Sequence, residues 1–181
     1  RYGYDWANLW IINTHNGIKG VKPRIDINEY PAVKAHLDQY WDKISKRADK
    51  GDTPYNLRNC AYLDLVFQPK ICWKAVGRNL AFSIVESGTF LTAPASFISA
   101  GIYNEYILAF LCSNVGTYFI YKNSDTTGAG DIMLNIQSLI KFPIPLNQTI
   151  SIGESINVVN QSIYQAYGFT SDEISYIESS I

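Results

Sequence analysis

"PYNLRNCAYLDLVFQPKICWKA", residues 54–75, sets a polar, basic half against a short apolar half that ends in a tryptophan between two lysines. Strand alternation through KICWK puts Lys70, Cys72 and Lys74 on one face and Ile71 and Trp73 on the other. The aromatic then anchors in a core while the cations project together. Arg58 lies upstream, and Arg78 and Asn79 follow at the strand's outlet. Cations on one face, with Asn or Arg at a strand end, are what phosphates and base edges require. The same row also serves as a sheet edge that lysines protect from aggregation.

Outward from this stretch the pattern is mixed. AYLDLVF, KICWKAV and AFSIV read as short strands, broken by Gln68-Pro69 and bounded by Glu86-Ser87-Gly88, and FLTAPASFIS continues extended. Upstream, Asn16-Gly17 is a turn dipeptide between strand-like runs and predicts a hairpin. Pro31 suits a first helical turn, and Val33, Leu37, Tyr40 or Trp41, and Ile44 recur at helical spacing, which predicts a helix over 31–49. Downstream, Asn104-Glu105 opens a helix through YILAFLCSN, apolar enough to be buried. NSDTTGAGD, residues 123–131, reads as a mobile loop of turn formers. The prolines of IQSLIKFPIP predict an extended end, and INVVNQSIYQAYG an amphipathic helix. TSDEISYIESSI carries an N-cap at Thr170 or Ser171 with acids in its first turn. These elements predict an α+β protein, with mixed strands in a curved sheet and helices packed on it.

The chain has 181 residues, 47% of them hydrophobic and 14% aromatic, enough for one sizeable core without disulfides. No run of about 18 apolar residues exists to cross a membrane. Cys60, Cys72 and Cys112 are far apart, which fits a reducing cytoplasm better than a zinc site. No initiating Met or signal peptide is visible, and the chain reads as a piece of a longer one. Formal net charge is −1, but residues 1–90 hold 13 Lys and Arg against 9 Asp and Glu, and residues 91–181 hold 2 against 7. The cationic chemistry lies in the first half.

No catalytic constellation is recognisable. His15 and His36 lack partners at metal-ligand spacing, and no phosphate-binding glycine loop or nucleophile elbow occurs, Gly128-Ala129-Gly130 being too short. Glu29, Asp38, Asp64 and Glu105 are scattered carboxylates, read as solvated or capping groups.

Several pieces in order resemble the TaqI-like C-terminal specificity domain, the target recognition domain of adenine-specific DNA methyltransferases and fused type IIG restriction-modification enzymes. "INEYPAVKAHLDQYWDKISKRADKGDTPYNLRNCAY" resembles the family's tyrosine-proline helix followed by R-x-D-K-G-x-x-P-Y-x-L-R. "FQPKICW" is similar to its F-x-x-P-K-I strand, and "YILAFLCSNVGTYFIY" to a helix that usually reads L-L-x-x-L-N-S, from which Cys112-Ser113-Asn114 departs. "LIKFPIP" resembles a closing segment shared with type I specificity subunits, and "YGFTSDEISYIE" the short helical end of such enzymes. The likeness spans residues 22–178.

The resemblance implies a target-recognition fold, with a DNA-reading domain over 1–150 and a C-terminal helical extension over 151–181. It implies sequence-specific recognition of double-stranded DNA, beside an N-terminal methyltransferase domain of the same parent chain. That absent domain would bind S-adenosylmethionine, and Mg if a nuclease is fused. The chain itself has no N-P-P-Y-type motif, no adjacent prolines, and so no expected cofactor or catalytic residue of its own. Phosphate contacts are expected at Lys70, Lys74 and Arg78, with Arg58 and Asn79 beside them, and base contacts on two loops. These are Thr14-His15-Asn16, and Lys122 with Asn123, Ser124 and Asp125. A different class stays open: Tyr2, Tyr4, Trp6 and Trp10 would suit a carbohydrate-binding or protein-interaction module with an aromatic surface.

Overall fold

Apolar alternation in KICWK does form a strand, but a central one. In the computed structural model, which describes residues 3–79, 81–145, 150 and 152–181, β1 (Lys70–Lys74) pairs antiparallel on both sides. Its neighbours are β3 (Phe82–Val85) and β4 (Ala95–Ile98). In register, Trp73 faces Phe82 on one side and Ser96 on the other. β2 (Val76–Gly77) follows β1 after Ala75 and joins a second three-stranded antiparallel sheet, ordered β2-β6-β5. Here β5 is Asp125–Thr126 and β6 is Ile132–Met133. The fold is therefore α+β, with two small antiparallel sheets and seven α-helices among the described residues.

The chain divides at Asp64–Leu65 into two units, one of residues 6–64 and one of residues 65–181 with the short stretch ending at Asp5. In the second unit, α3 (Asn104–Leu111) lies under the first sheet, with Leu108, Ala109 and Phe110 fully buried. The expected helix through Cys112-Ser113-Asn114 breaks there. Ser113, fully buried, accepts from the Gly116 amide at 3.0 Å as N-cap of a new helix, α4 (Asn114–Asn123). A short serine side chain competes with the helical ladder, so it ends one helix and starts the next. α5 (Ile136–Leu139) precedes residues 142–145, which form neither helix nor strand.

α6 (Ile156–Tyr167) ends at Gly168, whose φ of 69° a left-handed cap requires. α7 (Ser171–Ser179) begins with a reciprocal capping box between Thr170 and Glu173. Both helices pack on α4. Buried Tyr164 joins all three: its hydroxyl donates to Glu178 Oε1 at 3.0 Å and accepts from Asn114 Nδ2 at 3.0 Å.

The first unit is built differently. α1 (Pro31–Asp38) and α2 (Trp41–Ile44) replace the single helix expected over 31–49, with a turn at Gln39-Tyr40 between them. Its buried apolar side chains are Ile27 and Leu63, whereas Thr14, His15 and Asn56 are buried polar groups. Asn56 is the hub. Its amide donates to the Ile25 and His15 carbonyls at 2.9 and 3.4 Å, and its Oδ1 accepts from Thr53 Oγ1 at 2.6 Å. Its backbone carbonyl accepts from Gly51 N at 2.9 Å and from Arg47. The expected strand over AYLDLVF is instead a 3-10 turn, Leu63–Phe67, because Leu63 and Val66, three apart, are the residues that turn inward.

Candidate nucleic-acid interface

Lys70 is not a projecting cation. It is buried, and its ammonium donates to the Val66 and Gln68 carbonyls at 2.9 and 3.3 Å, 5.8 Å from the centroid of the Phe97 ring. Alternation failed because the long side chain folds back to cap the preceding 3-10 turn, while Lys74 on the same face stays exposed. Burial holds the amine below the usual lysine range. Replacing Lys70 by Met should cost about 1–2 kcal/mol, since the Val66 and Gln68 carbonyls lose a charged donor. It should leave any DNA affinity and its salt dependence unchanged. A denaturant melt and a salt titration check this, and a slope shallower by about one unit would restore Lys70 as a phosphate contact.

Lys74 is exposed at the end of β1, with Arg78 and Asn79 exposed beyond β2. Arg78 Nε meets Asp131 Oδ1 at 3.4 Å. The structure thus brings the basic outlet to the stretch read as a loop, which is a hairpin: Thr127 N bonds Asp131 O at 2.8 Å, and β5 pairs with β6. At its base Asn123 donates to the Phe119 carbonyl at 2.8 Å, and Lys122 lies over the Tyr118 ring, 5.6 Å from the centroid. Ser124 Oγ is buried and Asp125 is exposed.

In the first unit, Thr14 and His15 belong to the interior. Thr14 Oγ1 donates to Tyr55 O at 2.6 Å, and His15 Nδ1 accepts from Gly17 N at 3.1 Å. Burial, then the nearby Lys22 charge, lowers the His15 pKa and keeps the imidazole neutral. The hairpin tip is not Asn16-Gly17 but Lys19-Gly20: Ile18 N donates to Lys22 O at 2.8 Å, Val21 N and Lys22 N return to Ile18 O, and Gly20 has φ 76°. Gly17, at φ 75°, has the returning backbone against it, and a Cβ there would stand 2.3 Å from Lys22 O. The pair marks a crossing, where a bare Cα is needed, rather than a turn.

Asn16 sits below that hairpin, on the wall of a concavity of about 510 Å³. Its Nδ2 donates to Asp52 Oδ1 at 3.0 Å and Asn59 Oδ1 at 2.6 Å, and its Oδ1 accepts from Asp52 N at 2.9 Å. The held carboxylate in turn faces Arg24, NH1 to Oδ2 at 3.5 Å. Lys19, Lys22 and Arg24 line the same concavity, and Arg58 is exposed next to Asn59. These three cations were not singled out in the sequence. The signal available was their spacing of two to three residues across Gly20, which a hairpin gathers into one place.

Trp6 and Trp10 are exposed but meet edge to face, with ring planes at 89° and centroids 5.4 Å apart. Tyr2, of the same aromatic group, lies outside the described residues. Among the described residues no three His, Cys, Asp or Glu side chains gather as a metal site, and no helix is long and apolar enough to cross a membrane. No protein-family model matches the chain, and no curated protein matches it.

Proposed function

We propose that this chain reads double-stranded DNA, as a TaqI-like specificity domain whose parent enzyme is an adenine-N6 methyltransferase or a fused restriction-modification enzyme. The fold would then be of the target-recognition type. The parent's methyltransferase domain would supply S-adenosylmethionine chemistry, and Mg would serve a fused nuclease; this chain would only position and discriminate the duplex. One observation carries the reading: Lys19, Lys22 and Arg24 line a concavity together with an internally bonded Asn16–Asp52–Asn59 cluster. Lysines beside a concavity suit phosphates, and an arginine steadied by a carboxylate presents its planar fork to the two acceptors of a guanine edge. Asn16 has both amide hydrogens engaged within the protein, so its part is to hold Asp52 rather than to touch a base.

The test is enrichment from a randomised duplex library at moderate salt. A consensus containing guanine is expected, and Arg24→Ala should lose discrimination at one such position by about 10- to 100-fold, equivalent to about 1–3 kcal/mol. Nonspecific affinity should fall only slightly. Failure to retain any duplex, or retention indifferent to salt, would remove the DNA reading altogether. A consensus unaffected by Arg24→Ala would leave DNA binding in place and move base reading elsewhere.

A further inference from the structure

The second unit carries a concavity of about 480 Å³ that the DNA reading does not use, between α4, the Phe142-Pro143 stretch and α7. Three aromatic pairs line it. Phe119 stacks on Phe142 at 4.6 Å with planes at 14°, Tyr167 stacks on Phe169 at 5.1 Å and 3°, and Tyr118 meets Tyr176 edge to face at 6.1 Å. The Tyr167 hydroxyl donates to the Pro143 carbonyl at 2.7 Å. Burial pushes its pKa up to about 12, so this wall stays uncharged. The charged groups of the lining are two carboxylates, Asp172 and Glu173, in the first turn of α7.

We propose that this aromatic concavity binds a small organic cation whose charge sits on an alkylated nitrogen. The faces of aromatic rings carry negative quadrupole potential and attract such cations, which are weakly hydrated and lose little on entering an apolar site. Glu173 is committed to Thr170 through Oε2, with both bonds at 2.8 Å, whereas the Asp172 carboxylate makes no hydrogen bond or ion pair among the described residues. Acids in a first turn also suit the helix dipole, which accounts for their place in the sequence but not for the six rings beside them.

An anion is disfavoured here, since residues 65–181 hold eight Asp and Glu against five Lys and Arg. A bare metal ion would surrender its water to apolar walls and gain a single free carboxylate. The chain supplies its own instance of the contact: the Lys122 ammonium stands 5.6 Å from the Tyr118 centroid. A volume of this order holds a ligand of small-molecule size.

The experiment is an NMR titration of the intact chain with choline and with its uncharged isostere, 3,3-dimethylbutan-1-ol, followed at the ring protons of Tyr118, Phe119 and Tyr176. Saturable shifts at those rings are expected, with choline bound about fivefold more tightly than the isostere. Asp172→Asn, at an exposed position, should erase most of that preference while leaving the isostere's affinity unchanged. Tyr176→Leu, also exposed, should weaken both ligands. Equal affinity for the two, shifts centred elsewhere, or no saturable shift with choline would each overturn the proposal.

Discussion

Gly116→Ala is expected to destabilise the second unit by about 3 kcal/mol, the upper end of what an extra methyl costs in a packed interior. Helix propensity alone points the other way, because alanine is favoured over glycine in a helix by about 1 kcal/mol. Sterics decide the sign. Gly116 lies in the first turn of α4, buried, where a Cβ would stand 2.1 Å from the Phe110 carbonyl oxygen and 2.9 Å from that of Leu111. These are backbone atoms at the end of α3, and Phe110 O already accepts from Ser113 Oγ at 2.7 Å. Relieving the clash means moving α3 away from α4, within the core that holds Leu108, Val115 and Ile120. Thermal unfolding followed by circular dichroism should show the midpoint fall by roughly 10 °C. Gly128→Ala is the control, since nothing lies within 4 Å of a Cβ there, and its midpoint should stay put. If Gly116→Ala melts with the wild type, the close approach of the two helices is wrong.

The second large effect belongs to the basic hairpin. Replacing Lys19, Lys22 and Arg24 together by Ala should weaken binding to random-sequence duplex about 30-fold at about 0.15 M salt, and make the salt slope shallower by nearly two units, both from the two lysines. Each lost phosphate contact removes a slope of about 0.9. The fold should survive, because the hairpin is closed by the main-chain bonds of Ile18, Val21 and Lys22. The Arg24–Asp52 pair is half exposed on both sides and stabilises little. Fluorescence anisotropy across a salt series measures both quantities. Unchanged affinity and slope in a folded triple variant would take the DNA contact away from this concavity.

Elements whose caps and periodicity lie in neighbouring residues were readable in advance. α6 and α7 carry their own stop and start signals at Gly168 and Thr170, and the buried character of α3 follows from its apolar density. What escaped depends on distant partners. Nothing near Lys70 tells that its ammonium turns back onto the Val66 and Gln68 carbonyls, so a buried, carbonyl-bound lysine looked like a phosphate contact. The break at Ser113 rests on a side chain choosing the backbone over solvent. The turn residues of 123–131 gain order from β2, some fifty positions earlier. Asn16 lines the concavity as a group that holds Asp52, a role visible only once residues 36 apart are adjacent.

Asn56 has a consequence for how the first unit can change over evolutionary time. A unit held by volume must repack when an interior residue is altered; one held by directed bonds from Asn56 to Thr53, Ile25 and His15 keeps its shape as long as those few acceptors and donors persist. None of these bonds involves the side chains of Lys19, Val21, Lys22 or Pro23. The tip can therefore be rewritten residue by residue, in charge, size or polarity, with little penalty to the scaffold beneath it. Diversity is free to accumulate at that tip while residues 51–57 stay constant.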